Sequence, residues 1–255
     1  MEIIILAGAR NDGALRECSA SPYEAGIVVG GKTLLDYVVG SLAGLPEIGR
    51  LVVVGPEGCL SAEARARIWR LVPPGGGMVE NLRRGLATLG DADKVLVATA
   101  DIPLLTREAV EHFIARCRER EADVYYPVVR REPIETRFPG VRRTYAKLRE
   151  GTFTGGNIML LSPEVVARHV EVIEKVVAFR KSTLQMAKLL GFWYLLKLLA
   201  GRLSIKEIER RIEQKLRFRG AAIITPYAEI GIDVDKPSDL ELVRRALIAG
   251  EASAK

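Results

Sequence analysis

Three aspartates, in two separate stretches of the chain, have the spacing to share one cation. Asp101 follows the apolar run Val95–Ala100, which is typical of a strand buried on both faces of a parallel sheet. Asp233 and Asp235 are two residues apart, so their side chains point the same way if the segment is extended. Oxygen ligands of this kind favour a hard divalent ion. The sequence therefore predicts a metal site at which the three carboxylates converge.

The acidic residues also have a simpler interpretation as helix caps. Asp101 could cap the helix expected from about Thr106, which is the commoner role for a lone aspartate after a strand. Ser238 and Asp239 need be no more than the cap of the last helix. The metal site is favoured because open α/β sheets bind ligands at the carboxyl ends of their strands, where Asp101 lies, and because Pro103 ends the strand.

A loop of small residues after the first strand could bind phosphate. Its glycines let backbone N–H groups approach a ligand, and Arg10 or Arg16 can meet phosphate charge. The loop is neither a dinucleotide fingerprint nor a Walker loop, so the signal is weak by itself. A second glycine-rich loop, 73–77, precedes the helix expected over Met78–Leu89, with Asn81 in its first turn.

These residues need a sheet that holds them at one edge. Short buried strands separated by helical patterns predict parallel crossovers, and therefore a three-layer α/β fold with a mostly parallel sheet. The expected strands are Ile3–Leu6, Leu51–Gly55, Val95–Ala100, Asp123–Val129, Ile158–Leu161 and Ala221–Thr225. The expected helices are 34–42, Ser61–Leu71, Met78–Leu89, Arg107–Arg120 and a last helix that ends near Leu247.

The chain has the length of one large α/β domain that carries an insertion, with 255 residues of which 48% are hydrophobic. We expect a core over 1–162, a helical insertion over 163–219 and a return to the core over 220–255. An apolar patch between Leu184 and Leu199 is too short and too charged to span a bilayer. A lid over the site is the first interpretation of the insertion, a homodimer contact the second and a membrane-surface helix the third.

The chain is basic, with a formal charge of +6, and Lys and Arg are dense between 130 and 149. That cluster could receive an acidic substrate, and a solvated arm or a dimer contact is an equal alternative. No zinc-finger spacing or RNP-like motif supports a nucleic-acid partner. Three cysteines without metal-ligand spacing and an N-terminus without a basic leader favour a reduced, cytoplasmic protein.

Four motifs, in chain order, resemble those of the MobA-like NTP transferases, which are nucleotidyltransferases with a GT-A-like, Rossmann-like fold. They are ILAGARNDG in the first loop, GGKTLLDYVV at a helix start, ATADIPLLT at a strand end and IDVDKPSDL before the last helix. The resemblance covers Met1–Leu161 and Ala221–Leu247. Two positions depart from the family pattern. Glu24 stands where a lysine usually contacts the phosphates, and Gly13 stands where arginine is typical.

The resemblance implies transfer of a nucleoside monophosphate from an NTP to a phosphate-bearing small molecule, with release of pyrophosphate. Mg²⁺ or Mn²⁺ would be held by Asp101, Asp233 and Asp235, and Arg10 and Arg16 would replace the family lysine in catalysis. The nucleotide would contact Leu6, Ala7, Gly8, Ala9, Gly13, Gly76 and Asn81. The acceptor would contact Arg143, Lys147, Gly155, Gly156, Asn157, Arg180 and Lys181.

Two other functions remain open at this point. A GT-A-type glycosyltransferase would use a nucleotide-sugar and would not release pyrophosphate, whereas a non-catalytic regulatory protein would bind nucleotide without turnover. For the insertion, we expect Arg180 and Lys181 to face the acceptor. We also expect its large apolar side chains to pack on one another and on the edge of the core; they are Leu184, Trp193, Leu195, Leu196 and Leu199.

Overall fold

The computed structural model describes residues 1–46, 48–179 and 182–253. This part of the chain divides into two compact units, the first formed by 1–111 and 232–255 and the second by 112–231. Strands alternate with helices, and the three-layer α/β class expected from the sequence is confirmed, with parallel pairing in the first unit and mixed pairing in the second.

The first unit is built on a parallel sheet. The strands of the unit are β1 (Glu2–Leu6), β2 (Val28–Val29), β3 (Lys32–Thr33), β4 (Leu51–Val54), β5 (Arg70–Val72) and β6 (Val95–Thr99), of which β2 and β3 form a separate hairpin. The sheet has the order β5, β4, β1, β6, and Leu6 at the end of β1 pairs with Val54 and Thr99. Because the strands are parallel and in this register, their carboxyl ends meet at one edge.

Helices and a hairpin flank this sheet. The helices are α1 (Leu34–Leu42), α2 (Ala62–Arg67) and α3 (Met78–Ala87), and α4 (Arg107–Arg118) begins in this unit and continues into the second. The hairpin β2–β3 turns through Gly30 and Gly31, whose φ angles of +57° and +82° are accessible to glycine at little cost. The Thr33 hydroxyl and the Asp36 carboxylate then form a capping box at the start of α1. The motif GGKTLLDYVV is thus accounted for by a tight turn and a helix cap.

The helix expected over Ser61–Leu71 is wrong in its second half. It ends at Arg67, and β5 follows as a parallel partner of β4. Trp69 N donates to Leu51 O at 2.8 Å, which starts this pairing. Backbone hydrogen bonds to a neighbouring strand here outweigh the helical preference of the local arginines, a preference worth only fractions of a kcal/mol per residue.

The second unit is organised around one long strand, β7. The strands are β7 (Val124–Arg130), β8 (Ala146–Leu148), β9 (Gly151–Gly155), β10 (Ile158–Leu161) and β11 (Gly220–Thr225). β11 runs parallel to β7 along its whole length, whereas β10 and β9 pair antiparallel with its two ends and β8 adds to β9. The basic stretch near residue 130 is therefore ordered as a strand and a helix.

The helices of the second unit lie mostly between β10 and β11. They are α5 (Arg131–Arg137), α6 (Pro163–Arg168), α7 (Val170–Phe179), α8 (Thr183–Leu190), α9 (Phe192–Leu199) and α10 (Ile205–Leu216), and α11 (Pro237–Ser253) returns to the first unit. The Glu209 carboxylate on α10 accepts hydrogen bonds from both terminal guanidinium nitrogens of Arg120 and from the Ala222 N–H. These bonds fix α10 against β11. In the described part of the chain, no helix has the length and apolar content needed to cross a membrane.

The expected packing of the apolar insertion is wrong for four of its five residues. Trp193 is 72% exposed, Leu199 65%, Leu184 50% and Leu196 39%. The reason lies in α9, whose inner side chains already fill the small core beneath it, so the outer ones have nothing within the second unit left to cover them.

Candidate functional site

The carboxyl end of β6 carries the acidic cluster. Asp101 follows this strand directly, and its backbone oxygen accepts a hydrogen bond of 2.9 Å from Val234 N. That bond lays the segment that contains Asp233 and Asp235 beside the end of β6. One carboxylate oxygen from each of the three aspartates then lies within 4.8 Å of the others. The structure therefore brings Asp101 together with two side chains that lie more than a hundred residues away along the chain.

The electrostatics of the cluster penalise a third negative charge. Burial raises the pKa of the Asp101 carboxyl to about 7, and the charge of Asp233 raises it in the same direction. The Thr99 hydroxyl donates a hydrogen bond to Asp101 Oδ1 and opposes this shift, while Asp235 and Glu24 add to it. A divalent cation among these oxygens would offset their mutual repulsion. Three convergent carboxylates fit Mg²⁺ or Mn²⁺, which prefer oxygen ligands.

Glu24, which stands where the family has a phosphate-contacting lysine, belongs to the same acidic environment. It begins a short 3-10 helix, and its backbone N–H donates to Ala9 O at 3.1 Å. Its charge is close enough to raise the pKa of the Asp101 carboxyl. The signal available in the sequence was the departure from the family lysine, which exchanges a positive charge for a negative one beside the predicted metal.

The first loop is held by its own polar side chains. Asn11 is 5% exposed, and its amide nitrogen donates to Ser19 O at 3.1 Å and Ser21 O at 2.9 Å. The Arg10 guanidinium lies 4.9 Å from the centre of the Tyr23 ring, on the surface. Arg16 is exposed on a short 3-10 helix, Ala14–Glu17. Both arginines are therefore accessible to a phosphate, and Asn11 is a positioning residue that the sequence analysis missed.

Asn81 joins the second glycine loop to the first. It is 3% exposed, and its side-chain oxygen accepts a hydrogen bond of 2.6 Å from Gly75 N. Its amide nitrogen lies against Gly8, where an added Cβ would be only 2.4 Å away. The nearby Pro74 Cβ would be 2.8 Å from the same atom. Asn81 thus fixes the relative position of two loops that were both expected to contact a nucleotide.

Two charged residues of α3 also hold the second loop. Gly76 N donates to Glu80 Oε2 at 2.7 Å, and the Arg84 guanidinium donates to the backbone oxygens of Pro73 and Pro74. The Gly76 hydrogen bond and the neighbouring Arg84 hold the pKa of the Glu80 carboxyl below its usual value. The Gly76 N–H, which was expected to contact a nucleotide, is thus already donated to Glu80.

Replacing Gly8 with alanine should destabilise the protein by about 1–3 kcal/mol, since overpacking at a close contact forces the surrounding groups to shift. Gly13→Ala is the matched control in the same loop, because an added Cβ there would meet nothing within 4 Å. Urea unfolding of the two variants and the parent measures the difference. Equal stability of all three would mean that Asn81 and Pro74 can move away from Gly8 without cost.

Gly155, Gly156 and Asn157 contact their own chain in the second unit. An added Cβ at Gly155 would be 2.1 Å from the Tyr126 hydroxyl oxygen, and one at Gly156 would be 2.5 Å from the Ile230 side chain. Asn157 donates through its backbone and side-chain nitrogens to Ile230 O, at 3.0 and 3.3 Å. Close packing of these protein groups explains both glycines, so a ligand is not needed to account for them.

The basic acceptor residues lie in different surroundings. Lys147 is exposed on β8 and lines a cavity of about 390 Å³ together with Tyr145 and Thr183. Arg143 is half-buried close to Tyr145, where burial raises the pKa of the phenol and the charge of Arg143 partly opposes this effect. Arg180 and Lys181 lie outside the described residues.

Comparison with known proteins identifies one relative that matches nearly the whole chain and one that matches about a third of it. A structure described as a hypothetical transferase from Thermus thermophilus is 40% identical, with a TM-score of 0.80, and the match covers 94% of this chain and 98% of that one. A phosphoenolpyruvate guanylyltransferase of Sphaerobacter thermophilus is 32% identical over 91 residues, which cover 34% of this chain and 44% of the relative. The chain thus matches less than half of that relative's length.

A more distant likeness concerns the fold alone. The structure of CMP:2-keto-3-deoxy-manno-octonic acid synthetase complexed with CTP has a TM-score of 0.60 at 14% identity, and the match covers 98% of this chain and all of the other.

The model of the MobA-like NTP transferase domain matches residues 22–193, which is more than half of the chain. With this match and the geometry of the acidic cluster, the chain belongs to the MobA-like NTP transferase family.

Proposed function

We propose that this protein is a nucleotidyltransferase that moves a nucleoside monophosphate from an NTP to a phosphate-bearing small molecule. An acceptor phosphate oxygen forms a bond to the α-phosphorus, the bond from that phosphorus to the bridging α,β-oxygen breaks, and pyrophosphate leaves. The observation that carries the proposal is the convergence of Asp101, Asp233 and Asp235 within 4.8 Å at the end of β6. Family membership supports the same reaction class.

The three carboxylates would hold Mg²⁺ or Mn²⁺, which supplies positive charge to the phosphates when bound. The three carboxylates contribute through their fixed position, because the hydrogen bond from Val234 N to Asp101 O holds the two aspartate segments side by side. Such preorganised charge is usually the largest single contribution to phosphoryl transfer.

Arg10 and Arg16 would neutralise the β,γ-phosphates from the surface of the first loop. Both are exposed, and the loop between them is anchored by the buried Asn11. A guanidinium can donate two parallel hydrogen bonds to phosphate oxygens, so either arginine can take the part of the lysine that Glu24 replaces.

The acceptor is proposed to carry a phosphate. The relative from Sphaerobacter thermophilus is named for phosphoenolpyruvate, which bears one. In the second unit, Lys147 and Arg143 are the described cations that we assign to such a group, on the basis of the cavity that Lys147 lines and the position of Arg143 near Tyr145.

The reaction is tested by measuring pyrophosphate release with Mg²⁺, each of the four common NTPs and a set of acceptors. The set should include phosphoenolpyruvate, sugar phosphates and polyol phosphates. Acceptor-dependent pyrophosphate release is the expected result. Release of a nucleoside diphosphate from a nucleotide-sugar would indicate a glycosyltransferase instead, and NTP binding without turnover would indicate a regulatory protein.

A further inference from the structure

Helix α9 is apolar on opposite sides. Tyr194 and Leu198 point inward and pack against a small core formed by Leu148, Phe153 and Leu203. Four other large apolar side chains of the helix are exposed to solvent, Phe192 by 69%, Trp193 by 72%, Leu196 by 39% and Leu199 by 65%, whereas Leu195 is partly buried. A helix with apolar residues all round is ordinarily buried on all sides. Here only the inner side is covered by the second unit.

The exposed residues form one continuous face. Phe192, Trp193, Leu196 and Leu199 are spaced as i, i+1, i+4 and i+7, which places them on the same side of a helix, and we call this set the α9 outer face. The rings of Phe192 and Trp193 are in edge contact, with centroids 6.3 Å apart. Leu184 on the neighbouring α8 is also 50% exposed. Contiguous exposed apolar residues of this size usually mark an interaction surface.

The stretch of sequence from 175 to 206, which contains α9, carries charge of one sign. Between Glu174 and Glu207 the sequence contains no acidic residue, although the whole chain has 32 of them. The charged residues of that stretch are all basic: Lys175, Arg180, Lys181, Lys188, Lys197, Arg202 and Lys206. Lys197 is paired with Glu207, whereas Lys188 and Arg202 are exposed on either side of α9 in the chain.

This charge distribution discriminates between two possible occupants. If a second copy of the chain docked symmetrically through the α9 outer face, Lys188 and Arg202 of both copies would be brought near each other, and like charges would oppose the contact. An anionic surface is complementary to the same residues. A helix that exposes Trp, Phe and Leu between basic residues has the composition of helices that lie in the interface of a bilayer.

We propose that the α9 outer face docks on the surface of an anionic lipid bilayer. Phe192 and Trp193 enter the headgroup region, where aromatic rings are favoured, and Lys188 and Arg202 meet lipid phosphates. The helix has eight residues and lies along the surface. This inference does not depend on the proposed nucleotidyl transfer.

The test is flotation of the full chain with vesicles. Vesicles of phosphatidylcholine mixed with phosphatidylglycerol should carry the protein upward, and vesicles of phosphatidylcholine alone should carry much less. Phe192→Ala with Trp193→Ala should reduce binding roughly ten-fold or more, because two large apolar side chains no longer leave water. Lys188→Gln with Arg202→Gln should reduce binding by about five-fold for each charge removed. Added salt should likewise reduce the binding of the parent chain to anionic vesicles.

Matched controls come from exposed residues of the first unit. Ile248 is 67% exposed, so Ile248→Ala removes an apolar side chain of similar exposure without touching α9. Arg65 is exposed on α2, so Arg65→Gln removes one charge elsewhere. Both controls should float as the parent does. Because the substituted α9 residues are exposed, circular dichroism and thermal melting should show that all variants fold alike.

Three outcomes overturn the proposal. The first is that the parent chain does not bind anionic vesicles, and the second is that it binds neutral and anionic vesicles equally. The third is that sedimentation shows a dimer, which Phe192→Ala with Trp193→Ala converts to monomer. The last result would assign the α9 outer face to a contact between copies of this chain.

Discussion

Replacing Asp101 with asparagine should lower the rate of nucleotidyl transfer by at least about 10²-fold, the effect typical of losing one preorganised electrostatic contact in a transition state. Asp101 is the member of the acidic cluster that β6 holds in place, and Asn is nearly the same size but carries no charge. The measurement is pyrophosphate release at saturating NTP and Mg²⁺. Calorimetry should show that the same variant has lost Mg²⁺ binding, which would locate the defect at the metal site.

The control for this variant is Asp93→Asn, which removes an exposed carboxylate close to the start of the same strand. It should leave both the rate and Mg²⁺ binding unchanged. If Asp101→Asn transfers nucleotide at the rate of the control, the acidic cluster has no part in the reaction and the proposed function loses its main support.

In the metal-free protein, the contribution of Asp101 to stability should fall as pH rises between 3.8 and about 7, because its carboxyl has a pKa of about 7 when folded against 3.8 as its ordinary value. In this window the folded chain binds more protons at Asp101 than the unfolded chain does. The free energy of unfolding therefore falls with rising pH, and the loss is complete above the folded pKa.

Asp101→Asn should remove this part of the pH dependence. Above pH 7 the variant should melt higher than the parent when both are measured in chelator, by roughly 5–10 °C after allowance for screening in a partly exposed site. At a pH below 3.8 the two proteins should melt together, since Asp101 is then protonated in both folded and unfolded chains. Thermal melts across this range give the comparison.

Added Mg²⁺ provides the complementary measurement. It should raise the melting temperature of the parent above pH 7, because an ion that binds the folded state stabilises it, by about 2.7 kcal/mol at a hundred times its dissociation constant. The variant should not respond. A melting difference between parent and variant that does not grow with pH through this window, or an equal Mg²⁺ response in both proteins, would contradict the electrostatic description of the cluster.

Much of the first unit could be predicted from local sequence. Short apolar runs such as Val95–Ala100 favour strands buried on both faces, and the observed β6 follows that run to within one residue. The alternation of such runs with helical patterns was enough to give the α/β class. The short strands β2, β3 and β5 were not predicted. β5, for example, is a three-residue edge strand that has no periodicity of its own and exists through pairing with β4.

The candidate site was also predicted only in part from the sequence. The types and spacing of Asp101, Asp233 and Asp235 were sufficient to predict a shared cation, because a strand end and an extended segment each constrain their own side chains. Glu24 is tied to the first loop by the backbone bond between Glu24 N and Ala9 O, a contact that no pattern in the sequence specifies. Its effect on the pKa of Asp101 depends on distance through space.

The sequence by itself determined the long buried strands, most helices of the first unit and the chemistry of the acidic residues, because hydrophobic period and residue type act over a few neighbours. Tertiary structure decided what depends on close approach between distant segments: the contact of Asn81 with Gly8, and the choice of which α9 side chains are covered. An apolar helix can bury either side equally well. The small core beneath α9 accepts Tyr194 and Leu198, and so leaves Phe192 and Trp193 outside.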